Sequence, residues 1–300
     1  MGVIKQVVFK ENLSALEKVY QLNHNIGYLQ EGHFLASSYS SPFIEFILNN
    51  LKENQKSLLD IGCGACFLLK EFDKRGFDVE GIDPSPVAKM AADKYGFLVH
   101  PDFYSKKFDR QYDVVVHHNF LEHVPDVHYI TQANFLSLKE GGKLFVAVPD
   151  CEDQINNADL SMIWHEHFSY FEKQSLKQLL LESGFKDVEV VKSPVGGVLF
   201  VKGTKGSGVA RSNGLPSTEK KFYNFKKNYK KNLRKLSEFL MDEIKENKSE
   251  IGLYIPLRLL PYLDLMPHID FSNIRFFDDD EGSHGKYYDG FPMIIENFDD

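Results

Sequence analysis

The stretch Leu58-Leu59-Asp60-Ile61-Gly62-Cys63-Gly64-Ala65-Cys66 decides the fold. It reads as a short apolar strand that ends in an acid and turns tightly through two glycines. Glycine takes positive φ at no steric cost and lets a ligand approach the main chain, so the turn is shaped to hold a cofactor. A nicotinamide site calls for G-x-G-x-x-G, whose third glycine allows close helix packing. Phe67 stands at that third position, so the dinucleotide fingerprint fails. A second acid, Asp83 in Gly81-Ile82-Asp83-Pro84-Ser85, ends the next strand 23 residues later. A carboxylate there accepts both hydroxyls of a ribose.

Outward from this turn, strand and helix patterns alternate. Ser57–Ile61, Phe77–Ile82, Phe97–Val99, Tyr112–His117 and Lys143–Val148 read as strands, with helices over Phe67–Arg75, Val87–Tyr95 and Val127–Leu138. Gly76 and Gly96 close two of these helices, and Ser85-Pro86 gives an N-cap followed by proline at the first helical position. A helix over Glu172–Ser183 and strands Val188–Val191 and Val198–Val201 finish the pattern, which predicts a mostly parallel sheet covered on both faces. Residues 1–56 form a helical cap, with a helix opening at Ser41-Pro42. Before it, the polar and aromatic run His33 to Ser41 either lines a pocket mouth or makes a loop.

Residues 203–217 are rich in Gly and Ser and read as a linker between a 57–202 domain and a 218–300 domain. Past the linker, Phe222, Phe225, Tyr229, Leu233, Leu236, Leu240 and Ile244 recur at steps of three and four, the face of a long amphipathic helix. Its lysines read as a solvated face. A strand at Ile251–Ile255, a short helix at Leu257–Leu263 and a strand at Ile274–Phe277 make a smaller α/β unit.

The chain has 300 residues, 43% of them hydrophobic, enough for about two domains. Three cysteines make no disulfide framework, which fits a reducing compartment. The net charge of −8 argues against a nucleic-acid partner. No apolar run reaches membrane-spanning length and no signal peptide is visible, so a cytoplasmic protein without membrane partner is expected, with homodimerisation open.

Asp60, Gly62, Gly64 and Asp83, with Asp113-Val114-Val115-Val116, Asn119-Phe120-Leu121-Glu122-His123 and Leu138-Lys139-Glu140-Gly141-Gly142, resemble the class I S-adenosylmethionine-dependent methyltransferases over about residues 57–202. The resemblance implies α/β architecture: a Rossmann-like sheet, the helical cap and the smaller C-terminal domain. It implies S-adenosylmethionine as cofactor, flanked by Gly62 and Gly64, with Asp83 on its ribose, Asp60 beside the methionyl amine and Asp102 reaching the adenine. Asp102 also reads as a simple turn residue after Pro101. Cys66 departs from the third glycine of that family's motif.

Methyl transfer to a hydroxyl or C–H needs a base. Trp164-His165-Glu166-His167-Phe168-Ser169-Tyr170-Phe171 is the densest candidate, because imidazole titrates near neutrality. Its histidines serve as base or substrate contact, as structural caps, or as metal ligands, for which the sequence places no third ligand. This segment, with Asn119 and His123, resembles the sugar C-methyltransferases. That implies a nucleotide sugar, or a related phosphorylated glycan or capsule precursor, as the small-molecule acceptor. It also implies His167 as general base, Glu166 as its partner, His165 in the same segment, and Asn119 and His123 near the acceptor. Departures are Trp164 in place of a tyrosine, the missing cysteine-rich zinc module, and Leu253 to Arg258 in place of a glycine-rich turn. They leave oxygen methylation as open as carbon methylation. Arg258 reads as a phosphate contact or as a surface residue. Another small molecule as acceptor, or a non-catalytic cofactor-binding scaffold, are the competing readings.

Overall fold

The computed structural model describes residues 3–7, 9–22, 34–104, 110–164, 166–206, 218–246, 250–254, 256–266 and 268–298, with the side chains of 34–39, 218, 219 and 246 left aside. In chain order its first compact unit contains β1 (Ile4–Lys5), α1 (Lys10–Leu22), α2 (Phe34–Leu48), β2 (Ser57–Ile61), α3 (Phe67–Asp73), β3 (Asp78–Ile82), α4 (Pro86–Tyr95), β4 (Leu98–His100), β5 (Tyr112–His118), α5 (Val127–Leu136) and β6 (Leu138–Pro149). After α6 (Glu152–Asn157), which opens the excursion described below, it resumes with β7 (Ser169–Tyr170), α7 (Lys173–Glu182), β8 (Lys186–Lys192) and β9 (Val198–Thr204).

Seven strands form one sheet in the order β4-β3-β2-β5-β6-β9-β8, with β9 antiparallel to both neighbours and the other pairs parallel. The central strand β2 is buried at all five residues, as a sheet covered on both sides requires. Successive residues of a strand point to opposite faces. Accordingly Leu59, Ile61, Val115, Leu144 and Val146 share one core with α5 and α7, while Leu58, Val114, Val116 and Phe145 share another with α2, α3 and α4.

Local signals act as expected at α4: the Ser85 hydroxyl accepts from the Ala88 N–H at 3.3 Å, Pro86 fills the first position, and Gly96 closes the helix at φ 74°. Helix α2 differs. It begins at Phe34, so Pro42 lies inside it rather than in its first turn, and Phe43 and Ile47, both fully buried, seat it on the sheet. The run from 33 to 41 is thus helical backbone from Phe34 onward rather than a loop, and His33 lies outside the described residues. The start of the expected linker is sheet as well. Strand β9 continues to Thr204, Phe185 and Leu180 pack where a Gly203 Cβ would stand (3.0 and 3.1 Å), and Lys205 Nζ donates to Leu138 O at 2.7 Å. Gly203 is there for close packing, and residues 207–217 lie outside the described residues. Strand β6 starts at Leu138, earlier than the pattern predicts, and passes through Gly141 at φ 74°.

The second unit comprises Asp153–Trp164 and Glu219–Asp300. It holds the long α8 (Thr218–Glu246), a parallel sheet of β10 (Ile251–Tyr254), β11 (Ile274–Phe277) and β12 (Ile295–Glu296), and the short α9 (Leu260–Leu263). Leu240, Leu263, Met266, Ile274 and Phe276 form its core together with Leu160, from the excursion out of the first unit. The Leu160 N–H donates to the Tyr262 hydroxyl (2.7 Å), which donates to Asp159 Oδ1 (2.8 Å). Lys220, Lys226, Lys227, Lys230 and Lys231 are exposed, and so is Phe222, which leaves the apolar face it was read into. Among the described residues no helix is long and apolar enough to cross a membrane.

Candidate active site

The glycine turn sits at the carboxyl end of β2, where open α/β sheets bind ligands. Gly62 and Gly64 have φ of 71° and 49°, and Cys66, at φ 61°, holds the same left-handed conformation with a side chain. The turn therefore keeps the backbone path of a third glycine while burying a thiol completely beneath it. A Cβ on Gly62 would stand 3.0 Å from the Phe120 ring. Gly62→Ala should therefore cost about 1–3 kcal/mol through strain and crowding, read as a lower thermal midpoint.

Asp83 is buried and ties the turn to the next strand: Oδ2 accepts from the Gly64 N–H at 2.9 Å and Oδ1 from the Ser85 N–H at 2.8 Å. Burial, and then the charge of Asp83, push the Asp60 carboxyl up to about 8. Asp102 is exposed and accepts from the Phe103 N–H at 2.8 Å, so it serves its own turn while facing the same space as Asp83.

That space is a cavity of about 480 Å³ within the first unit. Gly62, Gly64 and Asp83 line one end, Asn119 and Phe120 the middle, and Tyr20, His123 and Glu166 the other. The three-residue turn Leu121–His123 presents His123, and the Glu122 carbonyl accepts from the Phe168 N–H at 2.8 Å, bringing the 166–171 segment alongside. Strand β1 pairs antiparallel with β7 and pins that segment from the other side.

Of the residues singled out from sequence, Asp60, Gly62, Gly64, Asp83, Asp102, Asn119, His123, Glu166 and His167 gather around this cavity or directly behind it. His167 stands edge-on to the His123 ring at 4.8 Å between centroids, whereas His123 and Glu166 line the cavity itself. His165 lies outside the described residues. Arg258 lies in the second unit and is exposed, its guanidinium over the Trp164 ring at 4.8 Å and donating to Ser161 O at 3.3 Å.

Two residues escaped the sequence reading. The Tyr20 hydroxyl, from α1, donates to Glu166 Oε2 at 3.0 Å and lies 3.1 Å from His123 Nδ1. Burial and the Glu166 charge raise its pKa above the ordinary phenol range. The only hint of it was a polar pair, Glu17 and Tyr20, on the apolar face of Leu13 and Leu16, and all four line the cavity. The other is Glu122, 1% exposed, with neither carboxylate oxygen hydrogen-bonded among the described residues. Burial pushes its carboxyl up to about 8.

A mostly parallel sheet with a glycine turn at the carboxyl end of its central strand and an acid on each of two adjacent strand ends is the arrangement of a class I methyltransferase domain. The chain belongs to the methyltransferase domain family, whose model matches residues 32–190, more than half of its length. The cofactor of such a domain is S-adenosylmethionine. The chain is similar to the ubiquinone biosynthesis O-methyltransferase of Nitrosococcus oceani, 32% identical over 142 residues covering 43% of this chain and 59% of that one. It is similar to the protein of the same name from Escherichia coli, 35% identical over 99 residues covering 30% and 41%. It thus spans about half the length of the curated relatives it matches. A Nostoc punctiforme protein described as a candidate O-methyltransferase superposes at a TM-score of 0.50 and 15% identity over 61% of each chain, a likeness of fold.

Proposed function

We propose that the chain transfers the methyl group of S-adenosylmethionine to an oxygen of a small-molecule acceptor. The observation that carries this is the single cavity running from the glycine turn and Asp83 to Tyr20, His123 and Glu166. In this reading Asp83 takes the ribose hydroxyls, Gly62 and Gly64 let the cofactor lie on the main chain, Asp60 faces its ammonium, and Asp102 stands toward the adenine. The acceptor hydroxyl attacks the methyl carbon in line with the breaking C–S bond, and S-adenosylhomocysteine leaves. Its proton passes to Glu166, which Tyr20 orients through the 3.0 Å hydrogen bond. The resemblance of the Trp164–Phe171 segment implies His167 as base; Glu166 is preferred because it lines the cavity.

The names of the curated relatives favour oxygen over carbon. The lining favours a neutral hydroxylated ring: its walls include Leu13, Leu16, Phe103, Phe120, Val124 and Phe168, and among the described lining residues none is lysine or arginine. A nucleotide-linked or phosphorylated acceptor, implied by the resemblance of the Trp164–Phe171 segment, gains no ion pair from that lining. Incubation with S-adenosylmethionine and two panels, hydroxylated aromatic rings and nucleotide sugars, is read by the mass of one added methyl group. Methylation of ring hydroxyls is expected. Failure to bind either S-adenosylmethionine or S-adenosylhomocysteine overturns the reading.

The Asp60 pKa adds a pH signature. In the free protein at pH 7 its carboxyl is largely protonated, and a cofactor ammonium beside it favours the carboxylate. Binding should therefore release about one proton and tighten as pH rises from 6 towards 8, levelling above that. Calorimetry in two buffers of different ionisation enthalpy measures the release. The folded pKa lies above the unfolded value of 3.8, so the same group makes the cofactor-free protein lose stability as pH climbs from about 4 to about 8.

A further inference from the structure

Glu122 poses a problem that methyl transfer does not solve. A carboxyl group taken out of water with no hydrogen-bond partner is costly, and a buried acid is ordinarily found protonated, paired or bound to a cation. Both Glu122 oxygens are in that position among the described residues. What surrounds them is specific. One ring nitrogen each of His123 and His167, and one oxygen of Glu122, all lie within 4.8 Å of one another, with His123 Nε2 3.8 Å from Glu122 Oε1.

We infer that Glu122, His123 and His167 form a binding site for a divalent transition-metal ion of the Zn²⁺ or Co²⁺ type. Two imidazoles and one carboxylate are the donor set of open zinc sites, which keep further positions for water or a ligand oxygen. Imidazole donors select transition metals over Mg²⁺ and Ca²⁺, which take oxygen. The surroundings of His123 match those of a metal-bound histidine, in which the far ring nitrogen donates to an oxygen acceptor and so fixes the tautomer. Here the Nδ1 side faces the Tyr20 hydroxyl at 3.1 Å and Glu166 Oε2 at 3.8 Å, which leaves Nε2 on the Glu122 side as the donor atom. With metal bonds near 2.0–2.2 Å, the three donor atoms close to about 3.3 Å apart. That is a movement of side chains only, since the backbone hydrogen bond from Phe168 N–H to Glu122 O already holds the two segments together. The ion gives Glu122 its missing partner and locks the Leu121–His123 turn to the 166–168 segment at the cavity wall.

The site goes beyond the methyltransferase reading and stands apart from the cofactor turn, so the two fail separately. The full chain is stripped with a chelator, dialysed, and titrated with CoCl₂ followed by absorption and with ZnSO₄ against a chromophoric competitor. One equivalent bound per chain, with visible Co²⁺ bands displaced by Zn²⁺, is expected. Glu122→Gln and His167→Ala should each weaken Zn²⁺ at least about 100-fold while S-adenosylhomocysteine binding persists, which shows that the variants are folded. Absence of a stoichiometric site in the wild-type chain, or affinity unchanged in both variants, overturns the inference. If one variant fails to fold, the other decides the matter.

Discussion

Asp83→Ala is expected to weaken S-adenosylmethionine binding by about 100-fold or more in calorimetry. Hydrogen bonds to a charged group are worth roughly 1.5–3 kcal/mol each, and the ribose offers two. The same substitution removes the acceptor of the Gly64 and Ser85 N–H groups, so the turn itself loosens. Asp83→Asn separates the two effects, because an amide oxygen still accepts one of those hydrogen bonds. It should recover part of the thermal midpoint while remaining poor at cofactor binding, since the charge is gone. Equal cofactor affinity in wild type and Asp83→Ala would remove Asp83 from the cofactor site.

Glu166→Gln is expected to lower kcat by about 10²- to 10⁴-fold, the usual range for loss of a positioned proton acceptor, with cofactor affinity within a few-fold of wild type. Glutamine fills the same space and still accepts the Tyr20 hydroxyl, so geometry survives while the proton loses its destination. Tyr20→Phe should cost less, because Glu166 remains and only its orientation relaxes. A Glu166→Gln enzyme with full turnover would move the base to an imidazole.

Much of this was legible in the chain, and the reasons are physical. The strands of the large sheet are short apolar runs with glycine or proline punctuation, and buried parallel strands need little else to be recognised. The acids at 60 and 83 announce themselves because a carboxylate at a buried strand end has few uses. What stayed hidden depends on contacts between distant segments. Tyr20 sits on a helix whose pattern says only that one side is apolar, and its role appears once α1 is laid against Glu166. Glu122 was read past because its neighbour His123 is the more obvious chemist. Gly203 and Lys205 were taken for linker by composition, although in the structure a phenylalanine and a leucine require the missing side chain of the one, and a carbonyl binds the other. Pro42 suggested a helix start, but the helix begins at Phe34 and runs through it.

The excursion Asp153–Trp164 sets a timetable for synthesis. Leu160 is buried with partners that include Leu263, Phe276 and Ile295, which the ribosome adds more than 100 residues later. At ~5–20 residues per second, that segment waits on the order of ten seconds with its apolar side chains in water, although the sheet around it is otherwise ready to close. A chain stopped near residue 218 would leave them there for good. Such a truncated product should be stickier in cells than its large, well-filled sheet suggests, and a prime customer for chaperones.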